Sequence, residues 1–402
     1  MIKNRDIIVV GLQALDSRIG SNCINLAYEF SKNNRVLYVN YPLDRLTLIR
    51  EKDDPLIQKR IKIMKGEEPN LVKINDNMWN LYPNTKLESI SQLPVNWLFD
   101  ILNKINNKRF AREIQKAIDE LNFKDFIIFN DSDMFRSFYL PELLKPKTYV
   151  YYTRDNMIAV DFWKTQGIRI EAKHMAKADL VVANSTYLAD LARKFNKHSY
   201  YVGQGCDVSL FDKKLIKEVP PDIKPIKKPI IGYIGALLSL RLDLDVIIHI
   251  AKQRPDWSVV LVGPEDDTFK NSELHNLENV HFLGSKKMEE LPSYLYAFDV
   301  AINPQKLNEV TIGNYPRKID EYLAMGKPTV QTKTKAMEVF EGYVYLAENK
   351  EEYVTLIDLA LKENTPEKEA EREKLARSHT WENNVKEIYD KIEMIEKLKS
   401  KN

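Results

Sequence analysis

The chain has little that could cross-link it or hold a metal. Cys23 and Cys206 are its only cysteines in 402 residues. Two thiols so far apart make no disulfide framework and have no metal-ligand spacing, which fits a reducing cytoplasm. Charge of one sign is missing too. Sixty Lys and Arg stand against 58 Asp and Glu, for a net charge of +2. That gives no global electrostatic case for nucleic acid. No window approaches the run of about 18 apolar residues that crosses a bilayer. The apolar run in MIKNRDIIVVGL is too short for a signal segment with a cleavage site, and reads better as a buried first strand. Internal repeats and low-complexity segments are lacking. The six histidines, His174, His198, His249, His275, His281 and His379, have no partner pattern and are expected to be structural or surface residues.

What is there suits a two-domain α/β protein. Hydrophobic content of 44% and charged content of 29% are ordinary for a globular chain, and 402 residues exceed a single core. Ile7–Val10 reads as a strand closed by Gly11. A loop from Leu12 to Gly20 leads to Ser21, a plausible N-cap, and a helix to about Lys32. Arg35–Val39 is the next strand, which makes a βαβ unit. The loop lacks the close-set GxGxxG spacing, so a dinucleotide dehydrogenase is not supported. Residues 44 to 115 are irregular, apart from a strand near Met78–Tyr82. A helix is expected from Val95 to Lys116, with Trp97, Leu98, Ile101, Leu102 and Ile105 apolar and Lys104, Lys108, Arg109, Arg112 and Lys116 basic. It could lie on an anionic membrane surface, or face the core with a solvated basic side.

Strands follow at Phe126–Phe129, Thr148–Tyr152, Asp179–Ala183 and Tyr200–Val202. Residues 212 to 229 carry Pro220, Pro221, Pro225, Pro229 and six lysines, which reads as an interdomain linker. Alternation then restarts with strands near Ile230–Ile234, Ser258–Val262, Val280–Leu283 and Asp299–Asn303. The tail from Thr365 is helical, with Trp381, Val385, Ile388, Tyr389, Ile392 and Ile395 in one apolar stripe.

The second half is organised around Tyr315 to Val330, YPRKIDEYLAMGKPTV. A helix is expected from Pro316, closed by Gly326 and followed by Pro328. Its first amides, beside Arg317 and Lys318, would suit a diphosphate. Glu321 lies one turn after Lys318 and could accept two hydrogen bonds from a ribose diol. The plainer reading is an amphipathic helix with a solvated charged face.

Several separated stretches resemble the GT-B fold glycosyltransferases, the group that includes glycosyltransferase family 4 and related bacterial polysaccharide enzymes. In the first half these are ADLVVANSTYLADLARKF and VGQGCDVSLF. In the second they are IGYIGALLSLRLDLDVI, RPDWSVVLVGP, LENVHFLGSKKMEELPSYLYAFDVAINP and the central stretch. The resemblance implies two Rossmann-like parallel-sheet domains facing each other across a cleft. The acceptor-side domain would span 1–211 and be rejoined by a C-terminal helix at 380–402. The linker would be 212–229, and the nucleotide-sugar domain 230–379.

It also implies roles. Glu321 would hold the donor ribose. Lys318, Arg317, Pro316 and Tyr315 would meet the diphosphate, with Arg241 nearby. Gly235 and Gly263 would line the donor site through backbone, and Gly11, Gly20 and Ser21 would form the acceptor-side loop. The family's first glutamate would fall on Gly313 and is absent, and Asp320 replaces a commoner aromatic residue.

Transfer needs a stabilised leaving diphosphate and a deprotonated acceptor hydroxyl. Asp155, just beyond the Thr148–Tyr152 strand, is the candidate base and would favour inversion; its alternative reading is a loop or helix cap. Asp131-Ser132-Asp133 has the letters of a DxD metal motif but lies in the acceptor-side domain, so no metal and no cofactor are expected. The implied partners are a nucleotide-diphosphate sugar and a glycan or lipid-linked saccharide, with peripheral association at the inner membrane face as a further reading. A sugar-nucleotide epimerase and a non-catalytic scaffold subunit remain alternatives.

Overall fold

A computed structural model describes residues 2–17 and 20–401. The chain forms two compact units, residues 1–203 with 381–402 and residues 204–380.

Unit 1 is built on eight strands: β1 Asp6–Val10, β2 Arg35–Val39, β3 Leu71–Asn75, β4 Met78–Leu81, β5 Ile127–Asp131, β6 Thr148–Thr153, β7 Leu180–Ala183 and β8 Ser199–Tyr201. Their order is β3-β4-β2-β1-β5-β6-β7-β8. Every pairing is parallel except that of β3 with β4. Helices α1 Asn22–Ser31, α2 Arg45–Arg50, α3 Pro55–Met64, α4 Asn96–Leu121, α5 Leu140–Leu144, α6 Asp161–Lys177 and α7 Thr186–Arg193 connect them. Period-two alternation sorts β1 between two cores. Ile7 and Val9 join Leu26 and Phe30 of α1, while Ile8 and Val10 join Phe110, Ile114 and Ile118 of α4.

Unit 2 carries β9 Ile230–Ile234, β10 Ser258–Val262, β11 Val280–Phe282, β12 Val300–Asn303, β13 Thr329–Thr332 and β14 Tyr345–Ala347. Their order, β11-β10-β9-β12-β13-β14, is the doubly wound 3-2-1-4-5-6 arrangement, all parallel. Helices α8 Leu244–Gln253, α9 Asp267–Lys270, α10 Leu291–Ala297, α11 Lys318–Ala324, α12 Lys350–Glu363 and α13 Pro366–Ser378 cover it. In such sheets the crevice beyond the strand ends, where the order reverses, is the ligand position. Here it lies above β9 and β12, and in unit 1 above β1 and β5.

The last helix, α14 Trp381–Lys399, follows unit 2 in sequence but belongs to unit 1. Val385, Ile388, Tyr389, Ile392 and Ile395 enter the core that α1 shares with β1. Polar ties fix its register. Arg5 pairs with Glu396 at 3.0 Å, Asn34 donates to the Tyr389 hydroxyl, and Asn384 donates to the Val202 carbonyl.

The boundary differs from the sequence expectation. The units divide after Gly203, not after Phe211, because Cys206, Val208 and Phe211 are buried in the unit 2 core. Residues 212–229 are not a free linker either. Ile223 is buried, Ile216, Val219 and Ile226 pack beside it, and Asp222 accepts from the Tyr294 hydroxyl and pairs with Lys286. Proline and lysine composition signalled exposure there and hid the interleaved apolar residues.

Candidate functional site

The end of β9 turns at Gly235, whose φ of +142° is open to glycine and strained for other residues. Gly263, at the end of β10, has φ +153°. A Cβ on Gly263 would stand 1.9 Å from the Gly235 carbonyl oxygen, and one on Gly235 would stand 2.7 Å from the Lys318 ammonium. Two bare backbones and one cation are therefore packed together at the sheet's switch point.

Helix α11 brings the cation. It begins at Lys318, with Arg317 as its cap, rather than at Pro316; the Ile319 amide bonds back to the Pro316 carbonyl. Gly326 closes it as expected. The Lys327 amide reaches the Tyr322 carbonyl and the Gly326 amide reaches the Leu323 carbonyl, a Schellman ending. Tyr322 pins the helix to the sheet, its hydroxyl accepting from the Ile234 amide at 3.0 Å.

Lys318 is half-buried. Its ammonium donates to the Tyr233 hydroxyl and sits 4.0 Å from the Tyr233 ring centre. Burial pushes its pKa down to about 7; Glu321 opposes the shift and Arg241 adds to it. Burial likewise raises the Glu321 carboxyl, against the pull of Arg317 and Lys318. Arg317 and Arg241 are exposed. The Arg241 loop is tied down by Asn308, which donates to the Leu240 carbonyl, and by the Lys306 amide on the Arg241 carbonyl. Lys318, Glu321, Arg317, Arg241, Gly235 and Gly263 thus share one neighbourhood.

Tyr315 points elsewhere. Its hydroxyl donates to Asp320 at 2.9 Å, and Asp320 also meets His379 Nδ1 at 2.7 Å. Burial raises the fully enclosed Asp320 carboxyl, and His379 counters it. The His379 carbonyl receives the Cys206 amide. This network braces α11 from behind. Sequence reasoning missed it and placed His379 among residues without a partner. The one local signal was Asp320 standing where an aromatic residue is commoner. Tyr233, which holds Lys318, was also missed; its hydroxyl emerges from an apolar strand 85 positions away.

In unit 1 the strand ends carry a charge relay of pairs. Arg154 follows β6 and reaches buried Asp131 at 2.9 Å and Asp155 at 3.1 Å. Asp155 keeps 43% of its side chain exposed. It is therefore reachable, and the guanidinium competes with any hydroxyl proton for its oxygen. Asp133 is bound by Arg136 at 2.7 Å. Each carboxylate of the Asp131-Ser132-Asp133 run is thus taken by an arginine, and among the described residues no group of three ligating side chains could hold a metal. Gly11 ends β1, its amide on the Val39 carbonyl. Ser21 caps α1 by accepting from the Ile24 amide at 3.3 Å, and Gly20 is exposed. The loop expected from Leu12 to Gly20 includes residues 18 and 19, which lie outside the described residues.

Comparison with known proteins bears on the fold and on the second unit. Residues 228–363 match the family model of the group 1 glycosyl transferases. Over 226 residues, 52% of the chain, it is 28% identical to TuaH of Bacillus subtilis, named for a glycosyltransferase step of teichuronic acid biosynthesis. The match spans 56% of that relative's length. Among solved structures, Anabaena Alr3699/HepE in complex with UDP superposes with a TM-score of 0.65 at 15% identity, covering 97% of this chain and 100% of that one. Sucrose-phosphate synthase from Thermosynechococcus elongatus does so with a TM-score of 0.63 at 14% identity, covering 98% and 99%. At these identities the likeness shows the fold.

Proposed function

We propose, from the premise that a chain of GT-B fold carries a group 1 glycosyl transferase domain at residues 228–363, that the protein transfers a sugar from a nucleotide-diphosphate sugar to a saccharide acceptor. The observation that carries this reading is the Lys318 ammonium enclosed above Gly235, with Glu321 one turn on, at the switch point of unit 2. The HepE structure was solved with UDP, and that supports UDP as the carrier. TuaH, named as a glycosyltransferase of teichuronic acid biosynthesis, favours transfer over epimerisation or a non-catalytic role.

In this reading Glu321 accepts from the ribose hydroxyls, while Lys318 and Arg317 neutralise the diphosphate. Charge on the leaving oxygen grows as the C1–O bond breaks, so these cations act most strongly in the transition state, and no metal is required. In unit 1, Asp155 takes the proton of the acceptor hydroxyl as its oxygen bonds to C1, and the nucleoside diphosphate leaves with the electron pair. Direct displacement inverts the anomeric centre. The acceptor is a glycan or a lipid-linked saccharide of a surface polymer, handled in the cytoplasm.

The test is calorimetric titration with UDP, followed by product analysis. Glu321→Ala should weaken UDP binding by about 2–3 kcal/mol, the worth of hydrogen bonds to a charged group. Asp155→Asn should bind UDP normally but turn over about 10²–10⁴-fold more slowly. The first-turnover product should have the opposite anomeric configuration to the donor. Unchanged UDP affinity in Glu321→Ala would take the donor off α11. A retained anomer would remove Asp155 from the chemistry.

A further inference from the structure

Helix α4 has two different faces. Phe99, Phe110, Ile114 and Ile118 are buried, with Asn103, Asn106 and Asn107 bonded beneath them. Yet three residues of its apolar set face outward: Trp97 is 66% exposed, Ile101 52% and Ile105 38%. At about 100° per residue, Trp97, Ile101 and Ile105 fall on one side of the helix together with Lys104, Lys108 and Arg112. These six span an arc of roughly 100° and a length of about 22 Å. Lys104, Lys108 and Arg112 are exposed and form no ion pair among the described residues, whereas Asp100, the one acidic residue in this part of the helix, is taken by Arg169 at 2.7 Å. The outer stripe is thus apolar at its start and basic as far as Arg112, and the next carboxylate on the same side, Asp119, stands two turns beyond it.

Its setting is rigid. Gln166 of α6 donates to the Leu93 carbonyl and to Asn96, and Asn106 exchanges hydrogen bonds with Glu88. Ile90, Phe99, Met134, Phe135 and Ile170 pack behind. Exposed tryptophan and isoleucine on a braced helix are not waiting for a core. Phe162, at the start of α6, is 47% exposed as well.

We propose that this outer face of α4 docks unit 1 on an anionic lipid surface, with Trp97, Ile101 and Ile105 entering the headgroup boundary and Lys104, Lys108 and Arg112 meeting lipid phosphates. Tryptophan suits that boundary, and lysine stems lie along apolar surface while their ammoniums reach the headgroups. The acceptor then belongs to the lipid-linked class, a step that rests on the transferase reading above.

The experiment is co-sedimentation of the full chain with vesicles of phosphatidylcholine alone, or of phosphatidylcholine and phosphatidylglycerol in equal parts. UDP titration and size-exclusion chromatography run alongside. The chain should bind the anionic vesicles and lose them with rising salt. The triple change Lys104→Glu, Lys108→Glu, Arg112→Glu should weaken binding about a hundredfold or more. Trp97→Ser with Ile101→Ser should weaken it at least about tenfold. All these positions are exposed, so the variants should keep the native UDP affinity. If UDP binds and vesicles do not, the docking proposal falls and the donor site stands; the reverse result sinks the donor site alone. Vesicle binding that both variants retain, or that neutral vesicles match, overturns the proposal. So does a dimer that Trp97→Ser with Ile101→Ser converts to monomer, which would assign the face to a second copy of the chain.

Discussion

At the scale of single residues, Lys318 decides most. Its sequence neighbours suggest a solvated cation beside Arg317. The folded chain instead half-buries it, with its ammonium on Tyr233 and against Gly235, and so lowers its pKa to about 7. A diphosphate placed there would restore the positive charge, because an adjacent anion favours the protonated form. The sign follows from a free-state value of about 7. Below that pH the ammonium is already charged and binding takes up no proton through it. Above it, the free chain is largely neutral, binding draws in close to one proton, and affinity falls as pH rises. Calorimetry of UDP binding in buffers of different ionisation enthalpy would measure this uptake on the alkaline side of 7. Lys318→Met should abolish that share of the uptake and weaken binding. Identical proton counts in the native and Met chains would mean that Lys318 does not face the diphosphate.

At the scale of elements, the sequence shows what is built from contiguous pattern. Apolar runs mark β1, β2, β5 to β7, β9, β10 and β12, because each is buried on both faces and needs no partner to be recognised. The short helices α2 and α3 and the antiparallel β3 were not legible, since their residues are half exposed and mixed in charge. Helix α4 was legible as a helix but not in its facing: tertiary packing chose Phe99 and Phe110 for the core and left Trp97 outside. For the candidate site, the residues on α11 could be read from one stretch. The brace of Tyr315, Asp320 and His379 could not, because His379 lies 59 positions from Asp320. Gly235 is where element geometry and site meet. Gly235→Ala would put a methyl group in a backbone region costing about 1–3 kcal/mol and against the Lys318 ammonium. Urea unfolding should show unit 2 destabilised by about that amount, with UDP affinity reduced. Native stability and affinity in the alanine chain would mean that the β9 turn has slack.

At the scale of the whole molecule, the chain passes between its units twice, after Gly203 and after Thr380, and the second passage returns α14 to unit 1. The apolar stripe of the tail was plain in the sequence, whereas the core it serves is visible only in the fold. Val385, Ile388, Tyr389, Ile392 and Ile395 are each at most 3% exposed. Burying such side chains contributes about 1.5–3 kcal/mol apiece, so five together supply roughly 8–15 kcal/mol before the entropy of ordering the helix is set against it. That is comparable to the net stability of a whole domain, about 5–15 kcal/mol. Deleting residues 381–402 should therefore do more than loosen one surface. It opens the side of the sheet where Leu26 and Phe30 of α1 meet Val150 and Tyr152, and leaves the Asn34 amide and Thr148 hydroxyl without their α14 partners. Amide exchange read by mass spectrometry should rise across β1, β2, β6, β7 and α1 as a cooperative set. Strands β9 to β13 take no core residue from α14 and should keep their protection. Ile388→Ala, which removes one side chain and leaves the helix in place, should cost about 2–5 kcal/mol in the same strands. If the truncated chain exchanges as the native one does in β6, β7 and α1, then α14 lies on unit 1 without stabilising it.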